Sequence, residues 1–242
     1  MRYFVVSDVH SFYDELMYAL NSKGFDKKNP QHKLIVCGDL FDRGEQVIEV
    51  FEFVKELQAQ DRLIYIRGNH EDLLKECVNE LAMGEYPSYH HFSNGTVNTI
   101  AEFCDFDYLF IEDPSWCNKV CKTMKPILDF IDKNCVDYAE IGDYIFVHGW
   151  IPYDLNNATK DDWYEARWYN GMQMWYHPNN RIDGKTIVCG HYHANYGHAH
   201  IHNICSEWGD DAIFEPFIDD GIIAIDSCAA YSGKINCIVI EN

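Results

Sequence analysis

Short polar clusters rich in aspartate and histidine punctuate the chain: Asp8-Val9-His10, Gly38-Asp39-Leu40-Phe41-Asp42-Arg43-Gly44, Arg67-Gly68-Asn69-His70-Glu71, His148-Gly149, Gly190-His191-Tyr192-His193 and the single Asp226. Carboxylate oxygens and imidazole nitrogens suit divalent ions such as zinc, manganese or iron, and no cysteine falls inside these clusters. Asp8, His10, Asp39, Asn69, His148 and His191 together exceed what one catalytic ion needs. Two ions about 3.5 to 4 Å apart are the usual device for hydrolysing phosphate esters, so two divalent ions (Mn, Fe or Zn) are expected. On an extended segment residues i and i+2 point the same way, which would let Asp8 and His10 reach one ion. Taken alone, Asp8 or Asp39 reads as a turn or capping carboxylate and His148 as a hydrogen-bonded core histidine. Their recurrence in one kind of place argues against that reading.

That place is the end of a short apolar run. Such runs predict strands at 3 to 6, 34 to 37, 63 to 66, 144 to 147, 186 to 189, 222 to 225 and 235 to 240, and their continuous apolarity implies burial on both faces. After the first run, "SFYDELMYALNSKGF" has helical period, with Leu16, Ala19 and Leu20 inward and Gly24 as a C-terminal stop. After the second, "GEQVIEVFEFVKELQAQ" places Val47, Ile48, Phe51, Val54 and Leu57 on one apolar stripe. The first 70 residues therefore read as two successive βαβ units. Ligands in α/β sheets gather beyond the carboxyl ends of the strands, so the polar clusters should converge. Gly38, Gly68, Gly149 and Gly190 adjoin them where the backbone must turn or pack closely.

A chain of 242 residues with 47% hydrophobic and 15% aromatic residues and no biased tract fits a single domain spanning 1 to 242. Its net charge of -20, with 19 Lys and Arg residues forming no stripe, disfavours nucleic acid as a partner. The ten cysteines lie mostly in or beside apolar runs, which fits a reduced, cytoplasmic protein; Cys117 and Cys121 read as packing residues of one helix face. The chain enters a strand at once, leaving no room for a signal peptide, and no apolar run is long enough to span a membrane.

Asp8-x-His10, Gly38-Asp39-x-x-Asp42-Arg43-Gly44, Arg67-Gly68-Asn69-His70-Glu71, His148-Gly149 and Gly190-His191 together resemble the PPP-type serine/threonine protein phosphatases of the calcineurin-like metallophosphoesterase superfamily, especially their short bacterial and phage members. The resemblance spans residues 3 to 227, with a mostly helical insertion expected at about 72 to 140. It implies an α/β (α+β) fold in which two mixed β-sheets form a sandwich flanked by helices. It also implies a binuclear centre in which Asp39 bridges the ions, Asp8 and His10 complete one site, and Asn69, His148 and His191 complete the other. A hydroxide shared by the metals would attack phosphorus in line. His70 matches the general acid for the leaving group and Asp42 the carboxylate that orients it. Arg43, and between the late histidines Arg167, match phosphate-binding guanidiniums, with Arg181 as a rival to Arg167. Arg67 and Glu71 would support the ligand-bearing turn.

The chain departs from the family pattern at Trp150, which follows His148-Gly149 and would narrow the mouth of the site, and at His193, whose His-x-His form would bring it toward the first metal. The alternating His198, His200 and His202 read as a loop or strand edge. The implied activity is hydrolysis of a phosphorylated protein or small phosphoester. Dinucleoside polyphosphate (diadenosine tetraphosphate) hydrolysis is the alternative, since the symmetrical hydrolases share this framework. Glu71, where those hydrolases more often carry Asp, and the complete Asp42-Arg43-Gly44 favour the former. A catalytically silent binding module is disfavoured because every expected ligand is present. Specificity should lie in the 72 to 140 insertion, where Asn94-Gly95-Thr96 suggests a turn opening a helix, and in the aromatic stretch containing Trp163, Trp168 and Trp175.

Overall fold

The computed structural model describes residues 1 to 106 and 114 to 241. The chain runs β1 (Arg2–Val6), α1 (Tyr13–Ser22), β2 (His32–Cys37), α2 (Val47–Ala59), β3 (Leu63–Ile66), α3 (Asn69–Ala82), α4 (Tyr89–Asn94), α5 (Thr96–Cys104), α6 (Pro114–Asn134) and β4 (Cys135–Val136). It continues β5 (Ala139–Ile141), β6 (Tyr144–Phe146), α7 (Lys160–Ala166), α8 (Gly171–Tyr176), β7 (Thr186–Cys189), β8 (Phe217–Asp219), β9 (Ile222–Ala224), α9 (Ala229–Ser232) and β10 (Ile238–Glu241).

The strands form two mixed sheets, ordered β10-β1-β2-β3-β4 and β5-β6-β7-β9-β8. In the first, β1, β2 and β3 are parallel through the two predicted βαβ units, and β10 closes one edge antiparallel to β1. In the second, β6, β7 and β9 are parallel, with β5 and β8 antiparallel at the edges. Val5, Ile35, Cys37 and Ile66 meet Phe146, Val188 and Ile225 between the sheets. The outer faces are covered too. Phe4, Leu34 and Val36 pack with Leu16, Val50, Val54 and Leu74 from the helices, while Ile145, Ile187 and Ala224 pack under Trp150, Trp163 and Trp175. Burial on both faces accounts for the unbroken apolar runs of the central strands.

The 72 to 140 insertion is largely helical in its described part, although its residues 107 to 113 lie outside the described residues. Trp116, Val120, Met124, Ile127 and Ile131 recur at helical spacing along α6, all buried against the first sheet's helical layer. Gly95 takes a left-handed conformation and opens α5, as the Asn94-Gly95-Thr96 turn suggested.

Several local expectations are corrected. On α2, Ile48 faces outward, 42% exposed, and the buried stripe is completed by Val50 and Phe53 instead. The histidines after Gly197 belong to a π-helical turn (Gly197–Ile201), not to an extended segment, and a Cβ at Gly197 would overlap the Phe217 ring. Their imidazoles take separate partners: the Glu215 backbone carbonyl for His198, and the carboxylates of Glu207 for His200 and Asp219 for His202. All ten cysteines are unpaired, and Cys117 is half-buried against the core. Among the described residues no helix is long and apolar enough to cross a membrane.

Candidate metal centre

The polar clusters leave β1, β2, β3, β6, β7 and β9 at their carboxyl ends and meet at one edge of the sandwich. His10, Asp39, Arg43, Asn69, His70, His191 and Asp226 line one cavity of about 310 Å³. Asp39 is its centre: donor atoms of Asp39, His10 and His70 lie within 4.8 Å of one another, as do those of Asp39, His148 and His191. Asn69 and His70 form the first turn of α3, directed at Asp39 by the bond from the His70 amide to Asp39 Oδ1 at 3.0 Å.

The backbone here is strained. Asp8, His10, Asp39, Asp42, Arg43 and His191 all have φ between 48° and 76°, a region L-residues rarely occupy. Asp8 and His10 therefore lie beyond the strand with left-handed backbones, and the extended i, i+2 geometry expected for them does not form. His10 turns to Asp39, whereas the Asp8 carboxylate accepts the His191 amide at 3.0 Å. Two glycines make room: a Cβ at Gly68 would overlap the Asp39 carboxylate and one at Gly190 the Asp8 carboxylate.

Glu71 organises the loop after β2. Completely buried, it accepts from the amides of Gly68, Asp39 and Leu40 at 2.7 to 3.0 Å and from the Tyr65 hydroxyl at 2.8 Å. Arg67 pairs with Asp72 and Asp132, outside the cavity.

The donors fit divalent ions. Asp8, Asp39 and Asp226 are buried together; burial, with the charge of Asp226, raises the Asp8 pKa, and burial, with that of Asp39, pushes Asp226 up to about 6. The His148 Nδ1–H donates to the Cys37 carbonyl at 2.8 Å, which turns Nε2 toward Asn69 Oδ1 at 2.8 Å and Asp39 Oδ1 at 3.3 Å. Burial opposes a charge on this ring, yet Asp39 and Asp8 push its pKa up to about 10. The pocket thus calls for positive charge among these atoms, which divalent ions supply. His191 is the complement: burial and then His148 push it down to about 3, keeping it neutral for ligation.

Beside the Asp39 cluster, His70 and Asp42 form a tight pair, Nδ1 to Oδ2 at 2.6 Å. Asp42 is completely buried and also accepts from the Thr96 and Thr99 hydroxyls at 2.8 Å each. Burial opposes protonation of His70, but Asp39 and Asp42 outweigh it and raise its pKa. The ring can therefore hold a proton while its Nε2 side faces the cavity.

Other expectations place differently. Arg43 is exposed at the cavity and, among the described residues, has no carboxylate partner. Arg167 is instead bound to Asp72 at 2.8 Å and Asp137 at 2.5 Å, and Arg181 lies over the Trp175 ring and donates to its carbonyl. Neither lines the cavity, because the acidic residues on α3 and after β4 satisfy Arg167 from the side. His193 borders the cavity but pairs with Glu207 at 3.1 Å. Trp150 is buried core, 1% exposed, and does not narrow the mouth. Trp168 does occupy the rim, edge-on to His191 at 5.8 Å, with Tyr192 and Trp208. Trp208 and Thr99 had no signal in sequence, and Thr96 only that of a turn opening a helix; Asp226 did, as a lone carboxylate after an apolar run.

Parallel strands delivering carboxylates and imidazoles to one sandwich edge define a metal-dependent hydrolase class. The chain belongs to the calcineurin-like phosphoesterase family, whose model matches residues 1 to 222. Over 76 residues it is 38% identical to the asymmetrical bis(5'-nucleosyl)-tetraphosphatase PrpE of Bacillus subtilis (strain 168), a match covering 29% of this chain and 31% of that protein. Over 110 residues it is 31% identical to a symmetrical bis(5'-nucleosyl)-tetraphosphatase of Buchnera aphidicola subsp. Baizongia pistaciae, covering 45% of this chain and 35% of that one. The chain thus spans about a third of the length of these curated relatives. The structure of a cold-active protein-tyrosine phosphatase of a psychrophilic Shewanella shares the fold, with a TM-score of 0.53 and 18% identity over all of this chain and 75% of that one.

Proposed function

We propose that the protein is a binuclear metal-dependent phosphoesterase whose preferred substrates are dinucleoside polyphosphates. The observation that carries this reading is the cavity itself, in which Asp39 and its neighbouring histidines share a wall with half-exposed Trp168 and Trp208 and with Tyr192. Aromatic faces beside a phosphate-hydrolysing centre suit a nucleobase, and a base stacked on such a face contributes about 1 to 3 kcal/mol. The two tetraphosphatase relatives support the same choice. The residue that favoured a phosphoprotein substrate loses its weight: Glu71 is wholly engaged with backbone amides and Tyr65, so its extra methylene does not touch substrate.

Asp8, His10, Asp39, Asn69, His148 and His191 would hold the two ions. When bound, those ions polarise the phosphoryl group and lower the pKa of water to supply a nucleophile at neutral pH. Arg43 neutralises the phosphate oxygens from the open side. His70, its Nδ1–H held by Asp42, donates a proton to the departing oxygen.

A metal-reconstituted panel of diadenosine tetraphosphate against phosphoserine, phosphothreonine and phosphotyrosine peptides tests the reading. The dinucleotide should give the highest kcat/KM, and Trp168→Ala should raise its KM roughly 10-fold or more while leaving p-nitrophenyl phosphate nearly unchanged. Turnover of phosphopeptides with the dinucleotide untouched would restore the protein phosphatase reading.

A further inference from the structure

We propose that the helical insertion carries a separate metal site, formed by Glu76 of α3 with His90 and His91 of α4 and suited to a zinc-like divalent ion. The donor atoms of these three side chains lie within 4.8 Å of one another. The site stands apart from the Asp39 cluster: Glu76 is six residues beyond His70 on the same helix, about 9 Å along its axis.

The second observation is His91. Its side chain is completely buried, yet among the described residues neither ring nitrogen has a hydrogen-bond partner. The nearest carboxylate oxygen, on Glu80, is 3.6 Å from Nε2, beyond hydrogen-bond range. Buried imidazoles normally have partners, and this one faces a second imidazole, with ring centroids 4.0 Å apart, beside Glu76. Each of the two imidazoles has a ring nitrogen whose lone pair a cation can accept.

Two histidines and a carboxylate, with a fourth position left open, are a recognised zinc ligand set. Tetrahedral bonds of about 2.0 to 2.1 Å place donors about 3.3 Å apart, so side-chain adjustments of about 1 Å close the site. The carboxylates are already oriented. Glu76 accepts from the Tyr164 hydroxyl at 3.1 Å, and Glu80 accepts from the Ser88 amide and hydroxyl at 2.8 and 2.7 Å. His90 is exposed and Glu76 half-exposed, which gives an ion a path from solvent.

An ion here would tie α4 to α3. Asn94 at the end of α4 lines the main cavity, and Thr96, two residues on, donates to Asp42. The bridge would therefore steady the segment that holds the Asp42–His70 pair without touching the reacting atoms.

The test counts metal and does not use turnover. Wild-type protein, His90→Gln and Glu76→Gln are stripped, equilibrated with Zn²⁺, dialysed and analysed for zinc per folded chain, with circular dichroism confirming the fold. His90 is exposed, Glu76 half-exposed, and neither belongs to the Asp39 cluster. Each variant should hold about one ion fewer than wild type, and the rise in Tm on adding Zn²⁺ should shrink in both. Equal zinc content in wild type and variants overturns the proposal.

Discussion

At the scale of single residues, the proposed acid chemistry rests on the Asp42–His70 pair. Asp42 has its oxygens occupied by His70, Thr96 and Thr99 at 2.6 to 2.8 Å, so its orientation is set from three sides. A proton held on His70 matters in proportion to how poor the leaving group is. His70→Asn should lower kcat on an alkyl phosphate by about 10²- to 10⁴-fold, with a much smaller loss on p-nitrophenyl phosphate and metal content unchanged. Thr99→Val should shift the same ratio less. Steady-state kinetics on both substrates decide it: equal losses remove His70 from the acid role. Asp42, His70, Thr96 and Thr99 converge from segments 28, 54 and 57 residues apart, which explains why the pair was legible as a motif while its supports were not.

Among the elements, α3 links the candidate site to α6. Its first turn holds Asn69 and His70, and its outer face is tied by charge to the insertion: Asp132 of α6 receives Arg67 and Lys75 at 2.7 Å each, while Asp72 of α3 receives Arg67 and Arg167. Burial would raise the Asp132 pKa, but the bonds from Lys75 and Arg67 outweigh it and hold it below 3.8. A depressed folded-state pKa contributes stability that is present above the unfolded value and lost as pH falls through the folded one. Asp132 is 43% exposed, so solvent screening limits the contribution to about 1 kcal/mol or less. Urea unfolding of Asp132→Asn should show a small destabilisation near neutral pH that closes as pH falls below 3.8. A gap independent of pH would mean that the carboxylate's charge is not what the network uses.

Over the whole molecule, a net charge of -20 surrounds the site proposed here for anions. On the proposed reading, the field of the chain repels a polyphosphate until it comes within reach of Arg43 and the candidate metal centre. The Debye length shrinks from about 30 Å at 0.01 M salt to about 10 Å at 0.1 M, so added salt screens the distant repulsion first. With saturating metal, kcat/KM for diadenosine tetraphosphate should rise several-fold over that range, measured with a non-coordinating salt. A fall would show that local attraction at the cavity governs encounter.

The sequence by itself determined the strands of the sandwich centre and the positions of the polar clusters. Both are local: a strand covered on two faces must be apolar throughout, and a strand end in an α/β sheet is where a polar ligand can stand. Strands β4, β5 and β8, two or three residues each, were too short to leave such a trace. Only the tertiary structure decided which side chains meet. It turned Arg167 to Asp72 and Asp137, buried Trp150 while setting Trp168 on the cavity rim, and converted Glu71 from a sign of specificity into a clamp on the Asp39 loop. These outcomes depend on partners far away in the chain, and contacts between distant segments have no periodicity for a sequence to display.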